Sequence, residues 1–252
     1  MEKTDLMFRN LLVLISILSY QATFAENDLT RVGYAYDLED KGLLYSEYHY
    51  ESINQDLVRQ SSVIYKDSKG EVFAEKKVNF EIRPFLPEFK LMNEATGHLE
   101  STAYIKNEYK VRFLEKVNDK LKEKLLNYSE DAISDAGFDN FVMSHWQQII
   151  SGEQFTRDFL IPGMLRFFKF RIYQKEIAEE AGEKYRVLVI EPDSFLIRQF
   201  TRASRLYYAF DKPELKRFEG ISNMRDAEGK NYTVLIKYET STKLASAKNI
   251  AE

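Results

Sequence analysis

Cysteine is absent from this 252-residue sequence, and tryptophan occurs only once. The absence of cysteine excludes disulfides, thiolate metal sites and acylation at a cleavage-site cysteine. The formal net charge of −4 provides no basic surface, so nucleic acid is not expected as a partner. No linker rich in proline, glycine or serine divides the chain. Residues 26–252 are therefore expected to form a single domain that depends on its own hydrophobic core.

Catalytic motifs are absent as well. The sequence has no Gly-x-Ser-x-Gly elbow, no phosphate-binding loop and no dinucleotide fingerprint. His49, His98 and His145 are far apart, so no catalytic residue, metal site or cofactor is predicted, and the protein is not expected to be an enzyme. His49 and Glu47 are two residues apart in a strand pattern, which is more typical of a hydrogen-bonded pair on a surface or sheet edge than of an acid–base pair. An enzyme such as a hydrolase would require these two residues and distant acids to converge in a cleft.

The first 25 residues have the pattern of a secretory signal peptide. Residues 11–18 form a short apolar run, and Thr23 and Ala25 place small side chains at the positions that precede cleavage. A stable transmembrane helix needs about 20 apolar residues. We therefore expect export to the periplasm, removal of residues 1–25 and no stable membrane span afterwards. An uncleaved anchor is the alternative.

Aromatic side chains are abundant, with 18 Phe and 16 Tyr, and this composition favours strands. Short segments alternate with period two, as at residues 78–82 and 232–238, and turn signals separate them. Residues 67–70 and 226–229 both begin with Asp and end with Gly, a pattern typical of a type I hairpin turn. The sequence thus predicts nine to eleven strands, paired antiparallel because the connections are short.

Several strands, such as those at residues 167–173 and 185–190, carry apolar residues on both faces. An antiparallel sheet usually leaves one face in water and is polar on that face. Because these strands are apolar on both faces, the second face must be covered by a helix, a second sheet, a partner or a ligand. One helix is predicted between a cap at Ser134 or Asp135 and Gly152. Its apolar stripe has helical spacing and comprises Phe138, Phe141, Val142, His145, Trp146, Ile149 and Ile150. A hairpin is favoured over a helix at residues 114–128.

Three parts of the sequence together resemble an uncharacterised family of exported proteobacterial proteins. They are residues 33–70, residues 135–141 leading into Trp146, and the C-terminal runs at 206–211, 218–223 and 234–238. Their strand layout is similar to the lipoprotein-carrier superfamily, which includes the periplasmic lipoprotein chaperone and the sensor domain of anti-sigma-factor regulators. The resemblance implies a mainly β fold: an incomplete antiparallel β-barrel or strongly curved sheet with one or two helices against its concave face. Members of that superfamily bind acyl chains there.

These observations predict a periplasmic, non-enzymatic binding protein for a lipid, an acylated protein or another apolar ligand. The alternative is a cell-envelope structural or interaction module with a filled core, which would recruit an envelope protein as its partner. Each aromatic candidate could equally belong to an ordinary core. The candidate ligand-binding residues are Phe141, Trp146, Phe168, Phe170, Tyr208 and Phe210.

Overall fold

The alternating pattern of the sequence becomes one antiparallel sheet of fourteen strands in the computed structural model, which describes residues 28–54, 57–198, 203–226 and 228–241. The predicted signal peptide lies outside these residues. The mainly β, incompletely closed fold is confirmed, whereas the predicted strand count was too low. The strands are β1 (Asp28–Asp37), β2 (Leu43–Asn54), β3 (Leu57–Asp67), β4 (Val72–Asn79), β5 (Glu88–Asn93), β6 (His98–Ile105), β7 (Glu108–Leu114), β8 (Lys122–Leu126), β9 (Phe155–Ile161), β10 (Arg166–Glu180), β11 (Glu183–Pro192), β12 (Ser204–Ala209), β13 (Leu215–Arg225) and β14 (Asn231–Thr240).

The first and last of these strands are hydrogen-bonded neighbours. Gly33 of β1 lies opposite Tyr238 of β14, and Ala35 lies opposite Ile236. Every other pair within the fourteen-stranded sheet joins strands that follow one another in sequence. The two edges of the sheet are consequently β8 and β9, and the chain segment between them, residues 127–154, spans the gap.

This connecting segment, which we call the plug, covers the edge of β9. The Ile133 N–H donates to the Asp158 carbonyl at 2.8 Å, and the Leu160 N–H donates to the Ile133 carbonyl at 2.9 Å. Beside this contact, Ala132 packs in a buried cluster with side chains from both edges of the sheet, including Leu126 and Leu160. The plug therefore satisfies backbone groups of an otherwise open edge and fills the gap between the edges.

The plug carries two short helices where the sequence predicted one. They are α1 (Phe138–Ser144) and α2 (Trp146–Ile150), and a third helix, α3 (Phe195–Arg198), follows β11. The break falls at His145, whose ring stacks on Phe141 with centroids 4.3 Å apart and whose Nδ1 lies 2.9 Å from the Phe141 carbonyl oxygen. The packing role predicted for His145 is confirmed. The side-chain cap expected from Ser134 or Asp135 was wrong, since neither residue caps the short turn that precedes α1.

The predicted apolar stripe packs on the inner face of the sheet. Phe141, Trp146 and Ile149 are buried against Ile172 and Leu188 of β10 and β11. The helices thus cover the inner face of the strands that the sequence showed to be apolar on both sides. In the part of the chain that the structure describes, no helix is long and apolar enough to cross a membrane.

Side chains from neighbouring strands cover the outer face of the same strands. Val187 and Val189 point away from the helices and are nonetheless buried. Val187 is in register with Tyr207, which is in register with Arg217. The Arg217 guanidinium carbon lies 3.6 Å from the centre of the Tyr207 ring, so its long side chain shields apolar surface while its charge reaches water.

The predicted hairpin turns are confirmed. Asp67 Oδ1 accepts hydrogen bonds from the Lys69 and Glu71 N–H groups, each at 2.9 Å, and Gly70 closes the turn with a φ of 89°. Asp226 and Gly229 form an equivalent turn between β13 and β14. The hairpin at residues 114–128 is also present, as β7 and β8.

The contact between the plug and the loop before β5 provides a test of the fold. A Cβ added at Gly137 would lie 2.1 Å from the Phe85 carbonyl oxygen, so Gly137→Ala must displace backbone. We expect a loss of about 1–3 kcal/mol in the free energy of unfolding, measured by urea denaturation. Gly42→Ala is the control, because the nearest atom to its Cβ is Asp40 Oδ1 at 3.1 Å in an exposed turn. Equal stability of the two variants would contradict this account.

Candidate ligand-binding cavity

A cavity of about 770 Å³ occupies the interior of the open barrel. Sites for small molecules usually have volumes of about 300–1,000 Å³. Strands from both halves of the sheet line it, together with Ser134, Asp135 and Asp139 of the plug. The interior is therefore large enough for a ligand, and its two walls differ in chemistry.

One wall is apolar and comes from β9 to β13. Phe159 and Phe170 form its centre, with ring centroids 5.0 Å apart, and Leu206 and Phe218 extend it. The inward position of Phe168 and Phe170 follows from the alternation along β10, because buried Ile172 shares their face. We call this surface the apolar wall.

The opposite wall is rich in charge and comes from β1 to β6. Residues that stand opposite each other on neighbouring antiparallel strands share a face of the sheet. Arg31 stands opposite His49, and Gly33 stands opposite both Glu47 and Tyr238. The same alternation turns six charged or titratable side chains of this wall toward the cavity: Arg31, Glu47, His49, Glu51, Lys76 and Glu100.

Arg31 connects three parts of the fold. Its Nη2 lies 2.9 Å from Asp139 Oδ2 of the plug and 3.7 Å from Glu51 Oε1, while the Tyr208 hydroxyl donates to Asp139 Oδ1 at 2.9 Å. Burial alone would lower the pKa of the Arg31 guanidinium, but the charges of Asp139 and Glu51 outweigh it and raise that pKa. Asp139 thereby ties α1 to β1 and, through Tyr208, to β12.

Glu47 and His49 are buried inside the barrel. His49 Nε2 lies 3.0 Å from Glu47 Oε2, and the Tyr238 hydroxyl donates to the same oxygen at 3.2 Å. The predicted hydrogen bond between them is present, but the predicted placement on a surface or sheet edge was wrong, because β2 lies in the middle of the sheet and its odd-numbered residues face inward. Tyrosines occur on both faces of β2, so the sequence pattern did not indicate which face of the strand points inward.

A second histidine–glutamate pair faces the same interior from β6. His98 begins that strand and is almost fully buried. Its Nδ1 lies 2.8 Å from the Leu114 carbonyl oxygen, and its Nε2 lies 3.4 Å from Glu100 Oε1 without hydrogen-bond geometry. Within the described ranges, no group of three or more histidine and acidic residues is arranged to hold a metal ion.

The six aromatic residues predicted to bind a ligand occupy three environments. Phe168 and Phe170 line the cavity. Phe141, Trp146 and Tyr208 are packed together in the core beneath the helices. Phe210 lies apart from the others, 40% exposed and beneath the Arg186 guanidinium at 4.5 Å. Ligand binding by any of the six remains a prediction.

Sequence reasoning missed the charged members of the cavity, chiefly Arg31, Lys76 and Asp139. One signal was available for Lys76, since it alternates in sequence with Ala74 and Val78, both of which are buried on one face of β4. A charged residue at an inward position of an apolar alternation indicates either a buried pair or a site. For Asp139, which lies in the plug, sequence spacing contained no comparable signal.

The contacts of Asp139 can be tested by substitution. Asp139→Ala removes the partner of Arg31 and the acceptor of Tyr208, and we expect it to lower the free energy of unfolding by about 2–3 kcal/mol. Glu179→Ala is the control, because Glu179 and Lys184 form an exposed pair at 3.9 Å whose loss costs less than about 0.5 kcal/mol. Similar losses in urea denaturation for both variants would show that the Asp139 contacts contribute little.

Buried tyrosines give a pH dependence with a definite sign. Burial raises the pKa of Tyr45, Tyr65, Tyr208 and Tyr238 well above 10.0, and neighbouring carboxylates raise it further. Above pH 10.0 the unfolded chain loses these protons and the folded chain keeps them, so stability falls as pH rises. Each tyrosine contributes about 1.4 kcal/mol per pH unit in that range.

This behaviour can be measured by alkaline titration. We expect part of the tyrosinate absorbance to develop only as the protein unfolds, detected in parallel by circular dichroism. Ionisation of all tyrosines before any loss of secondary structure would contradict the buried placement of Tyr45, Tyr65 and Tyr208 and the partly buried placement of Tyr238.

The sequence matches no protein-family model and no curated protein. Among solved structures, the fold is similar to the crystal structure of a beta-barrel-like protein of domain of unknown function DUF1849 from Brucella abortus, with a TM-score of 0.48 and 6% sequence identity. The alignment covers 84% of this chain and 96% of that chain. The similarity concerns the fold alone, and the resemblance to lipoprotein carriers remains a prediction.

Proposed function

We propose that the protein is a non-enzymatic binding protein that holds an apolar or amphiphilic ligand, such as a lipid or the acyl chain of an acylated protein, inside its open barrel. The observation that carries the proposal is the 770 Å³ cavity with an apolar wall on one side and charged residues on the other. The alternative of a structural module needs a filled core, and a cavity of this size favours binding instead.

The proposed site of action is the periplasm. This part of the proposal rests on the signal-peptide pattern of residues 1–25 and on the absence of cysteine, which leaves a chain that needs no disulfide in an oxidising compartment. Fractionation of cells that produce the tagged protein tests it. Recovery in the cytoplasmic fraction with residues 1–25 still attached would contradict it.

A hydrolase is the second candidate, because His49 and Glu47 meet in the cavity together with the Arg31–Asp139 pair. Among the described residues, however, Glu47 is the hydrogen-bond partner of the His49 ring, and no hydroxyl group is hydrogen-bonded to it. A nucleophile held by its base is the feature that such a mechanism requires. Turnover of nitrophenyl esters that is lost in His49→Ala would support the hydrolase over the binding protein.

Native mass spectrometry of the purified protein, followed by organic extraction and lipid analysis, tests the binding function. We expect a stoichiometric lipid or amphiphile to be released on extraction. A ligand-free mass, combined with no uptake of the neutral apolar dye N-phenyl-naphthylamine, would overturn the proposal.

The apolar wall can be tested with the same dye. Phe168→Ala and Phe170→Ala each remove aromatic surface from the cavity, and we expect at least a tenfold weaker dye affinity, because burial of a phenylalanine side chain contributes about 1.5–3 kcal/mol. Phe210→Ala is the matched control, since that ring lies outside the cavity. An equal loss in all three variants would show that the dye does not report on the cavity.

A further inference from the structure

The charges that line the interior do not balance. Six carboxylates and four cations line it, so with the histidines neutral the interior has an excess of two negative charges. The carboxylates are Glu47, Glu51, Glu100, Glu115, Asp135 and Asp139, and the cations are Arg31, Lys76, Lys122 and Arg225.

Three of the four cations form ion pairs, and the fourth, Lys122, is exposed. Arg31 contacts Asp139 and Glu51, as described above. Lys76 Nζ lies 2.9 Å from Asp135 Oδ2, and Arg225 Nη1 lies 3.6 Å from Glu115 Oε1. Among the described residues, Glu47 and Glu100 form no ion pair with lysine or arginine. Each lies beside a histidine, and Glu47 also accepts the hydrogen bond from the Tyr238 hydroxyl. Both residues are more than nine-tenths buried. A buried carboxylate without a cation is costly, because the interior solvates charge poorly.

These two carboxylates line the same wall of the cavity. Glu47 stands opposite Tyr65 of β3. Lys76, which pairs with Asp135, stands opposite Leu91 of β5, and Leu91 in turn stands opposite Glu100 of β6. Next to Asp135 in the chain, Ser134 lines the cavity, is 2% exposed, and has a hydroxyl with no hydrogen-bond partner among the described residues. We call this region the acidic pole: Glu47, Tyr65, Glu100, Ser134 and Asp135.

The apolar wall lies across the interior from the acidic pole. Of the residues that β9 to β13 contribute to the cavity, the charged one is Arg225, whose Nη1 lies 3.6 Å from exposed Glu115 at the rim. The carboxylates are therefore separated from the apolar wall, while their own half of the sheet also contributes apolar side chains such as Val63, Val78 and Phe89. Such a separation suits a ligand with a polar head and an apolar tail in a fixed orientation.

We infer that the ligand is a cationic amphiphile, whose ammonium head group lies at the acidic pole and whose hydrocarbon tail lies on the apolar wall. The inference rests on the proposed binding function and specifies its ligand class. The cation supplies the charge that Glu47 and Glu100 lack and faces the Tyr65 ring, while the Ser134 hydroxyl provides a further polar contact. Anionic lipids of the same chain length meet the same carboxylates with repulsion.

The test compares head groups on one tail. Binding of dodecyltrimethylammonium, dodecyl maltoside and dodecyl sulfate to the purified protein is measured by calorimetry at pH 8, below the concentrations at which each forms micelles. We expect the ammonium compound to bind at least tenfold more tightly than the sulfate. Tighter binding of the sulfate or the maltoside would overturn the inference and leave the binding function standing. Failure of all three to bind would overturn both.

A variant pair assigns the preference to the acidic pole. Glu47→Gln with Glu100→Gln is expected to weaken binding of the ammonium compound at least tenfold and to leave the maltoside unchanged. Glu75→Gln with Glu179→Gln is the control, because it changes the net charge equally at two exposed positions outside the cavity. Equal effects of the two double variants would show that net charge, and not the acidic pole, selects the head group. The wild-type comparison stands even where a variant fails to fold.

Discussion

The pairing of β1 with β14 is the constraint on which the rest of the structure depends. All other strand pairs are local, so without this one the chain would form two separate meanders, β1 to β8 and β9 to β14. The same pairing positions Arg31, Gly33 and Tyr238 beside β2. Gly33 is required at this point because a Cβ there would lie 2.7 Å from the Tyr238 ring. The pairing of β1 with β14 therefore also determines how the charged wall of the cavity is arranged.

Stability alone gives no reason for the charged interior. Buried charges cost desolvation free energy, and well-packed apolar residues of similar volume are often as stable or more stable. In this protein the carboxylates of the interior belong to one half of the sheet and the plug, while β9 to β13 are packed with aromatic and aliphatic residues and contribute one cation, Arg225. The helices cover the inner face of this apolar half only in part, and the remaining surface is open to the cavity.

Local chemistry explains which features could be predicted from the sequence. The turn after Asp67 and the buried stripe around Phe141 follow from side-chain chemistry within a few residues, and both are present as expected. The inward direction of Glu47 and His49 depends on the central position of β2 in the sheet, which the residues of β2 do not encode. The break at His145 likewise depends on ring packing against Phe141. For the same reason, the inward-facing Phe168 could not be distinguished from the outer Phe210 by alternation alone.

The edges of the sheet have a consequence for the behaviour of the protein at high concentration. Unpaired edge strands tend to add a strand from another molecule and so begin aggregation. The plug occupies the β9 edge through Ile133. The β8 edge is short and begins with Lys122, Glu123 and Lys124, all exposed. Charged side chains on a short edge oppose strand addition, so the barrel stays open while neither edge favours pairing with another copy of the chain.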